Sequence, residues 1–476
     1  MSDPLIFNFF SMNTANHMFH GMWRHPGNQS IDYNNLEYWV KLCQLMERGG
    51  FDNLFCADVI GIDPAFRGSE EIYCKEAVQF PVNDASTLIS ALIGATETFG
   101  LSFTSSIIQE HPFNFARRVS TMDHLSKGRI GWNIVTGASI NAHQNFGAAH
   151  QTKHDERYAW ADEYMEVLYK LWEGSWEEDA FLRDRDRGIF SDHRKVHRIN
   201  HEGKRYKVRG PHTPSPSPQR TPTLFQAGAS STGRAFAARH AEGTFIVAVS
   251  PQSARKLVKE TNQLVEQYGR KKGDLKYIQG LSFVVGSTEE EAQRLAREWD
   301  EYNSVEGAMA HISRDINIDL GSMDPSTPVS SVNIEGLRGI VTLVEDAMPG
   351  KVVTIGDVGQ VFARNTRVIG TPESIADTLE VWRDAGIDGI NVVYQTSPRS
   401  FVDFIEHVMP VLRKRGLARE AEVKPATLRE RMFPGRGPRL NERHPAAQYR
   451  PGGPKHRLAP LGHPTGPETL TAEVIP

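Results

Sequence analysis

The chain has 476 residues, 39% of them hydrophobic, and a formal net charge of -4 at pH 7, so it can bury a large core. That balance argues against nucleic acid as the main partner, and no basic stripe with interleaved aromatics stands out. The first ten residues, MSDPLIFNFF, lack a basic start and a cleavage site, and no apolar run reaches about 18 residues, so no membrane partner is expected and the protein is read as cytoplasmic.

In chain order, residues 5–10 read as a first strand running into SMNTANHMFHGMWRH, a loop with three histidines and a tryptophan. Leu36, Trp39, Val40, Leu42, Cys43 and Met46 recur at helical spacing and end at Gly49-Gly50, which suits a helix C-terminus. DNLFCAD, residues 52–58, is strand two, and a long connection follows to a helix that Asp84 can cap. Cys43 and Cys56 sit within apolar patterns and, with Cys74, form no CxxC pair, so packed thiols rather than a disulfide framework are expected.

Strand three, LSFTSSII at residues 101–108, alternates an apolar face with one lined by Ser102, Thr104 and Ser106. A helix over 112–126 leads to strand four at 129–136, and the next helix opens near His154. Charges and prolines then break the pattern from 174 to 222, with a hairpin predicted around Glu202-Gly203. Strands five to eight fall at 223–226, 243–248, 277–286 and 389–394, with a second long excursion over 304–367. Eight strands, each followed by a helical pattern, predict a (β/α)8 TIM barrel with insertions after strands 2, 4 and 7. A doubly wound sheet is the weaker alternative, because SMNTANH is nothing like the GxGxxG expected after strand one. One barrel domain is assigned to residues 1–435; residues 436–476, rich in Pro, Gly, Arg and His, read as a disordered tail.

In such a barrel the site forms where the strands end. Of the residues there, the stretch TLFQAGASSTGRAFAARHA, 223–241, is the most suggestive: a buried strand, a glycine turn and a helix start carrying Ser230 and Ser231. Free amide hydrogens of a first helical turn, with the positive end of the helix dipole, can hold a phosphate; a plain serine cap is the competing reading. Metal ligands are few, since His17 and His20 are three apart where metal-dependent barrel hydrolases carry HxH, so no metal is expected. His193, His197 and His201 have helical spacing, but the predicted hairpin would spread them into surface roles. Neither GxSxG nor a P-loop occurs, which leaves an organic cofactor with a phosphate.

The segments FFSMNTANHMFHGMWRH, FDNLFCAD, RRVSTMDHLSKGRIGWNIVT, NFGAAHQTKHDERYAWADEYMEVLYKLW, VHRINHEGKRYKVRGP and LFQAGASSTGRAFAARHAE carry a further signal. With them the chain resembles the flavin-dependent monooxygenases of the bacterial-luciferase-like family. The branch is that of nitrilotriacetate and EDTA monooxygenases, dibenzothiophene-sulfone monooxygenase and long-chain alkane monooxygenase. The resemblance implies reduced FMN as cosubstrate, supplied by a separate NAD(P)H:flavin reductase, and O2 as oxidant, with one oxygen atom entering a small organic substrate and the other leaving as water. Xenobiotic, organosulfur, haloaromatic and amino-polycarboxylate substrates all fall within this expectation, as does a homodimer or homotetramer.

Carried over by position, the resemblance sets Asp58 beside the isoalloxazine ring, where a helix cap is the alternative, and Thr104 as the strand-three hydroxyl approaching the flavin. His154 and Tyr158, four apart on one helix face, would reach the ribityl or phosphate part, with core packing as the rival for Tyr158. Ser230, with Ser231 second, matches the phosphate contact, and Asn133 and Ser139 join on the strand-four side. Phe10, His17, His20 and Trp23 resemble the loop that closes on substrate. His311, in the excursion after strand seven, is the candidate for proton handling, with Arg314 and Asp315 close to the place the family's histidine takes. Two other readings stand beside this one: a non-catalytic barrel that stores or carries FMN, and a deazaflavin-dependent oxidoreductase.

Overall fold

The computed structural model describes residues 3–137, 139–228, 230–332, 344, 348, 350–364, 367–420, 424–456 and 459–461. Eight parallel strands close into a barrel: β1 Ile6–Met12, β2 Asn53–Ala57, β3 Gly100–Ser106, β4 Ile130–Val135, β5 Thr223–Gln226, β6 Gly243–Ile246, β7 Lys276–Val285 and β8 Gly389–Val393. Each pairs with its neighbour in sequence, and β8 pairs back onto β1 through Ile6 opposite Gly389, which closes the ring. The expected fold class is therefore present, with its three insertions. A short strand not foreseen from the sequence, Arg367–Gly370, extends the sheet outside the ring by pairing with the last four residues of β7.

Strand alternation divides the core. Phe7, Phe9, Leu101, Phe103, Trp132 and Ile134 pack outward against the helices, whereas Ile6, Phe10, Phe55 and Phe225 point inward. Between these inner aromatics lie amide and hydroxyl pairs: Asn8 donates to Asn391 at 2.8 Å, Ser102 to Asn53 at 2.9 Å and Asn133 to Thr104 at 3.0 Å. The lower end is plugged by Leu428, Met432 and Phe433. Room for the plug comes from a missing side chain, since a Cβ on Gly100 would stand 2.6 Å from Leu428 Cδ1.

The plug lies within the expected barrel domain, and the first part of the tail that follows it, for which disorder was expected, is ordered. Residues 436–456 are packed: Leu440, His444, Ala446 and Tyr449 are buried. Arg439 and Arg450 contact the buried Glu173 at 2.9 and 2.8 Å, and Arg436 and Arg443 contact Asp274 at 2.8 and 2.7 Å. Composition misled because the tail's arginines are matched by acids buried elsewhere in the barrel, Glu173 at the end of the helix after β4 and Asp274 in the turn before β7. Residues 462–476 lie outside the described residues.

The hairpin after β4 is present, His201–Glu202 pairing antiparallel with Lys207–Val208. The surface role assigned to its histidines holds for His193 alone. His197 and His201 are buried, the first 2.8 Å from Glu177 and the second 3.5 Å from Glu163. Above the barrel, the excursion after β2 packs against the one after β7, where Tyr73 donates to the Ala310 carbonyl at 3.0 Å and Phe66, Ile72 and Val78 form a small apolar cluster with Ala310.

Candidate active site

The C-terminal ends of β2, β3 and β4 open into a cavity of about 180 Å³ lined by Asp58, Thr104, Ser106, Ser139, Arg314 and Asp315 among others. Three residues picked from the sequence, Asp58, Thr104 and Ser139, thus share one wall-to-wall space with residues from the excursion after β7. Asp58 follows β2 directly, and burial with the nearby charge of Asp84 pushes its carboxyl up to about 7. A carboxyl held near neutrality can keep or release a proton with little change in conditions. Thr104 pairs in register with Asn133, whose Nδ2 it accepts; the Asn133 Oδ1 is buried without a partner among the described residues. Ser139 caps the short helix Ile140–Asn145 through the Ala142 amide at 3.0 Å, and the same helix start is tied across the cavity by Asp63, which accepts from Asn141.

A second cluster sits after β5. Ser230 is the N-cap of helix Ser231–His240, its hydroxyl accepting from the Gly233 amide at 3.0 Å and lying 3.2 Å from His154 Nε2. Tyr158 joins through its hydroxyl, and burial raises its phenol above the ordinary value. The rings of His154 and Tyr158 meet edge to face at 5.2 Å. Glycine is needed here: a Cβ on Gly233 would stand 2.7 Å from the Tyr158 hydroxyl and 3.0 Å from Gly228 Cα, so both glycines keep a shallow cradle open beside exposed Ser230 and Ser231.

The three histidines proposed for catalysis converge from two segments. His17 packs edge-on against Phe10 with centroids 4.4 Å apart, and burial with the neighbouring His311 brings its imidazole down to about 3. His20 Nε2 lies 2.8 Å from His311 Nδ1, and His311 Nε2 lies 3.3 Å from Asp315. Arg314 contacts Asp315 at 2.9 Å and donates to Gln79 Oε1 at 2.8 Å, while Gln79 Nε2 donates to the His17 carbonyl. The site list read from the sequence missed Gln79, Asp63 and His143. Neither Gln79 nor His143 carries a local signal in the sequence: Gln79 sits in a long connection where it takes a positive φ of 53°, and His143 is buried 3.0 Å from the Ser139 carbonyl.

Among the described residues no three His, Cys, Asp or Glu side chains group as metal ligands, and no helix is long and apolar enough to cross a membrane. A parallel barrel with polar side chains gathered at its C-terminal mouth and a serine-capped helix after strand five defines an enzyme scaffold of the TIM-barrel class that can take an anionic organic group. Comparison with known proteins narrows the class. The family model for luciferase-like monooxygenases matches residues 17–389, and the chain belongs to that family.

It is 42% identical over 454 residues to dimethyl-sulfide monooxygenase of Hyphomicrobium sulfonivorans, covering 94% of each chain. To long-chain alkane monooxygenase of Geobacillus thermodenitrificans it is 42% identical over 451 residues, covering 94% of this chain and 99% of the other. The crystal structure of a long-chain alkane monooxygenase superposes with a TM-score of 0.86 over 94% of this chain and all of that one. A riboflavin lyase solved with modified FMN and riboflavin gives the same TM-score at 38% identity, again over 94% of this chain and 100% of the other. The two monooxygenases fall in the branch named from the sequence.

Proposed function

We propose that the chain is the oxygenase component of a two-component monooxygenase, taking reduced FMN from a separate NAD(P)H:flavin reductase and O2 from solution to oxygenate a small organic substrate. The observation that carries this reading is the convergence of Asp58, Thr104 and Ser139 on one cavity, with the His154, Tyr158 and Ser230 cradle after β5. The residues present suit FMN. The unpartnered Asn133 Oδ1 offers a buried acceptor beside Thr104, and the glycine-lined helix start offers free amides to a phosphate. Bound there, reduced FMN would supply the two electrons that divide dioxygen between substrate and water.

The chain's own residues bind, orient and shield. Ser230, Ser231 and His154 hold the phosphate end, Asp58 and Thr104 face the ring end, and Ser139 fixes the turn that closes the cavity on the β4 side. Phe10, Phe55 and Phe245, whose rings meet at 5.6 and 5.1 Å, fill the barrel interior with apolar surface and keep water out of it. His17 and His20, on the loop after β1, stand where protons can be handled.

For substrate, the named relatives make dialkyl sulfides and long-chain alkanes the first compounds to offer. Chelating amino-polycarboxylates and haloaromatics complete the panel. The decisive assay mixes the protein with FMN, NADH, a flavin reductase, air and each compound, and looks for oxygenated product. Product that requires reduced FMN supports the reading. FMN binding with no turnover across the panel points to a flavin carrier, and activity with reduced deazaflavin alone points to hydride transfer.

A further inference from the structure

The histidine chain above the barrel has a direction that its hydrogen bonds define. His311 lies between two partners, Asp315 on Nε2 at 3.3 Å and His20 on Nδ1 at 2.8 Å. A carboxylate accepts, so His311 Nε2 carries a proton and donates it to Asp315. A neutral His311 then has a lone pair on Nδ1, which accepts from His20 Nε2–H. That in turn leaves His20 Nδ1 with a lone pair. This last nitrogen is buried and has no partner among the described residues. The opposite assignment needs protons on both nitrogens of His311 and leaves His20 Nδ1 equally unpartnered, and it would place a second positive charge beside Arg314, which already matches Asp315 at 2.9 Å.

We infer that Asp315 is a positioning residue that sets the tautomers of His311 and His20, so that His20 Nδ1 is the proton acceptor of the site. Asp315 does this from the cavity wall it shares with Asp58 and Thr104, held there by Arg314, which is itself anchored on Gln79. The carboxylate stays ionised and never takes the proton. When His20 Nδ1 accepts a proton from a group bound beside it, the electron pair of the broken bond stays on that group, and the new imidazolium is steadied through His20 Nε2–H, His311 and Asp315. Burial first, then the neighbouring His311, Arg314 and His17, disfavour a resting charge on His20, against the opposing pull of Asp315.

The kinetic part of the test rests on the function proposed above, so a measurement free of substrate accompanies it. Nitrogen-15 spectra of histidine-labelled full-length protein should show His311 and His20 both protonated on Nε2 alone. Asp315→Asn, which can turn its amide N–H toward His311, should move the His311 proton to Nδ1, and Asp315→Glu should restore the original pattern. With a turnover assay in hand, Asp315→Asn lowers kcat by about 10²–10⁴-fold, the range for general acid–base catalysis, with KM and FMN affinity within about threefold. Asp315→Glu regains much of the loss. A wild-type His311 protonated on Nδ1 or on both nitrogens overturns the inference whether or not a substrate is known. So does an Asp315→Asn variant with unaltered tautomers or with kcat within threefold of the wild type.

Discussion

Asp58 should hold its position at the expense of the fold, and the cost can be worked out. Its carboxyl rises from the ordinary 3.8 to about 7, chiefly by burial and secondly by Asp84. At about 1.4 kcal/mol per tenfold change, the upper bound on the destabilisation is roughly 4 kcal/mol; because the side chain is partly open to the cavity, about 1–3 kcal/mol is expected. The sign follows from proton counting. Below 3.8 both folded and unfolded chains are protonated and nothing differs. Between 3.8 and about 7 the folded chain keeps a proton that the unfolded chain has lost, so stability falls as pH rises through this window, and above it the full penalty applies.

Asp58→Asn removes the penalty. The ligand-free variant should therefore melt at nearly the wild-type temperature at pH 4 and about 2–5 °C higher at pH 8, read by scanning fluorimetry across the range. Asp84→Asn supplies a control, since asparagine can still cap helix Ala85–Leu92 while the charge that raises Asp58 is gone. In that background the gain from Asp58→Asn should shrink. A stability difference between Asp58→Asn and wild type that is the same at pH 4 and pH 8 would refute the reasoning, because a packing effect has no reason to follow the titration of one carboxyl.

Ser230→Ala removes both the cap on Gly233 and a hydroxyl of the cradle, so it should cost about 1 kcal/mol of stability and weaken FMN binding about 10–100-fold in calorimetric titrations. Gly233→Ala forces the Tyr158 hydroxyl, 2.7 Å from the added carbon, to move; FMN affinity should fall about tenfold while the circular dichroism spectrum stays unchanged. In the tail, burial alone would raise Glu173, yet Arg439 and Arg450 hold its carboxyl at about 2. Replacing both arginines with Met leaves that carboxylate buried and unmatched. The variant should lose about 3–5 kcal/mol at pH 8 in urea unfolding and recover part of it at pH 5, where an unmatched Glu173 is protonated.

The barrel was legible because its signals are local. Strand five is bounded by Pro222 and the turn at Ala227-Gly228, and it occupies Thr223–Gln226 as read; strands one to four agree within two residues at either end. What escaped depends on partners far away in sequence. Arg367–Gly370 is a strand only because the last four residues of β7 lie free beside it, and nothing in RVIG itself says so. The tail has neither helical nor strand periodicity, and its order comes from Glu173 and Asp274, which are more than 150 positions upstream. Composition reports what a segment cannot bury by itself, and it is silent about charges that another part of the chain has buried in advance.

Where the proposed site residues would fall in the fold was legible in another way. Asp58, Thr104, Ser139 and Ser230 sit at strand ends or helix caps, so their place in the barrel follows once the strands are counted, whatever else the chain does. His311 could not be placed by such counting, because helix Val305–Ile316 belongs to an excursion whose path over the mouth no periodicity encodes. Its partnership with His20 spans 291 residues of sequence, and the two segments are held together by the Ser304 amide, which donates to the His20 carbonyl at 2.8 Å, and by the close approach of Gly307, where an added carbon would stand 2.9 Å from His20 Cβ. The placing of His20 against His311 therefore depends on tertiary contact, whereas that of Asp58, Thr104 and Ser230 depends on strand order.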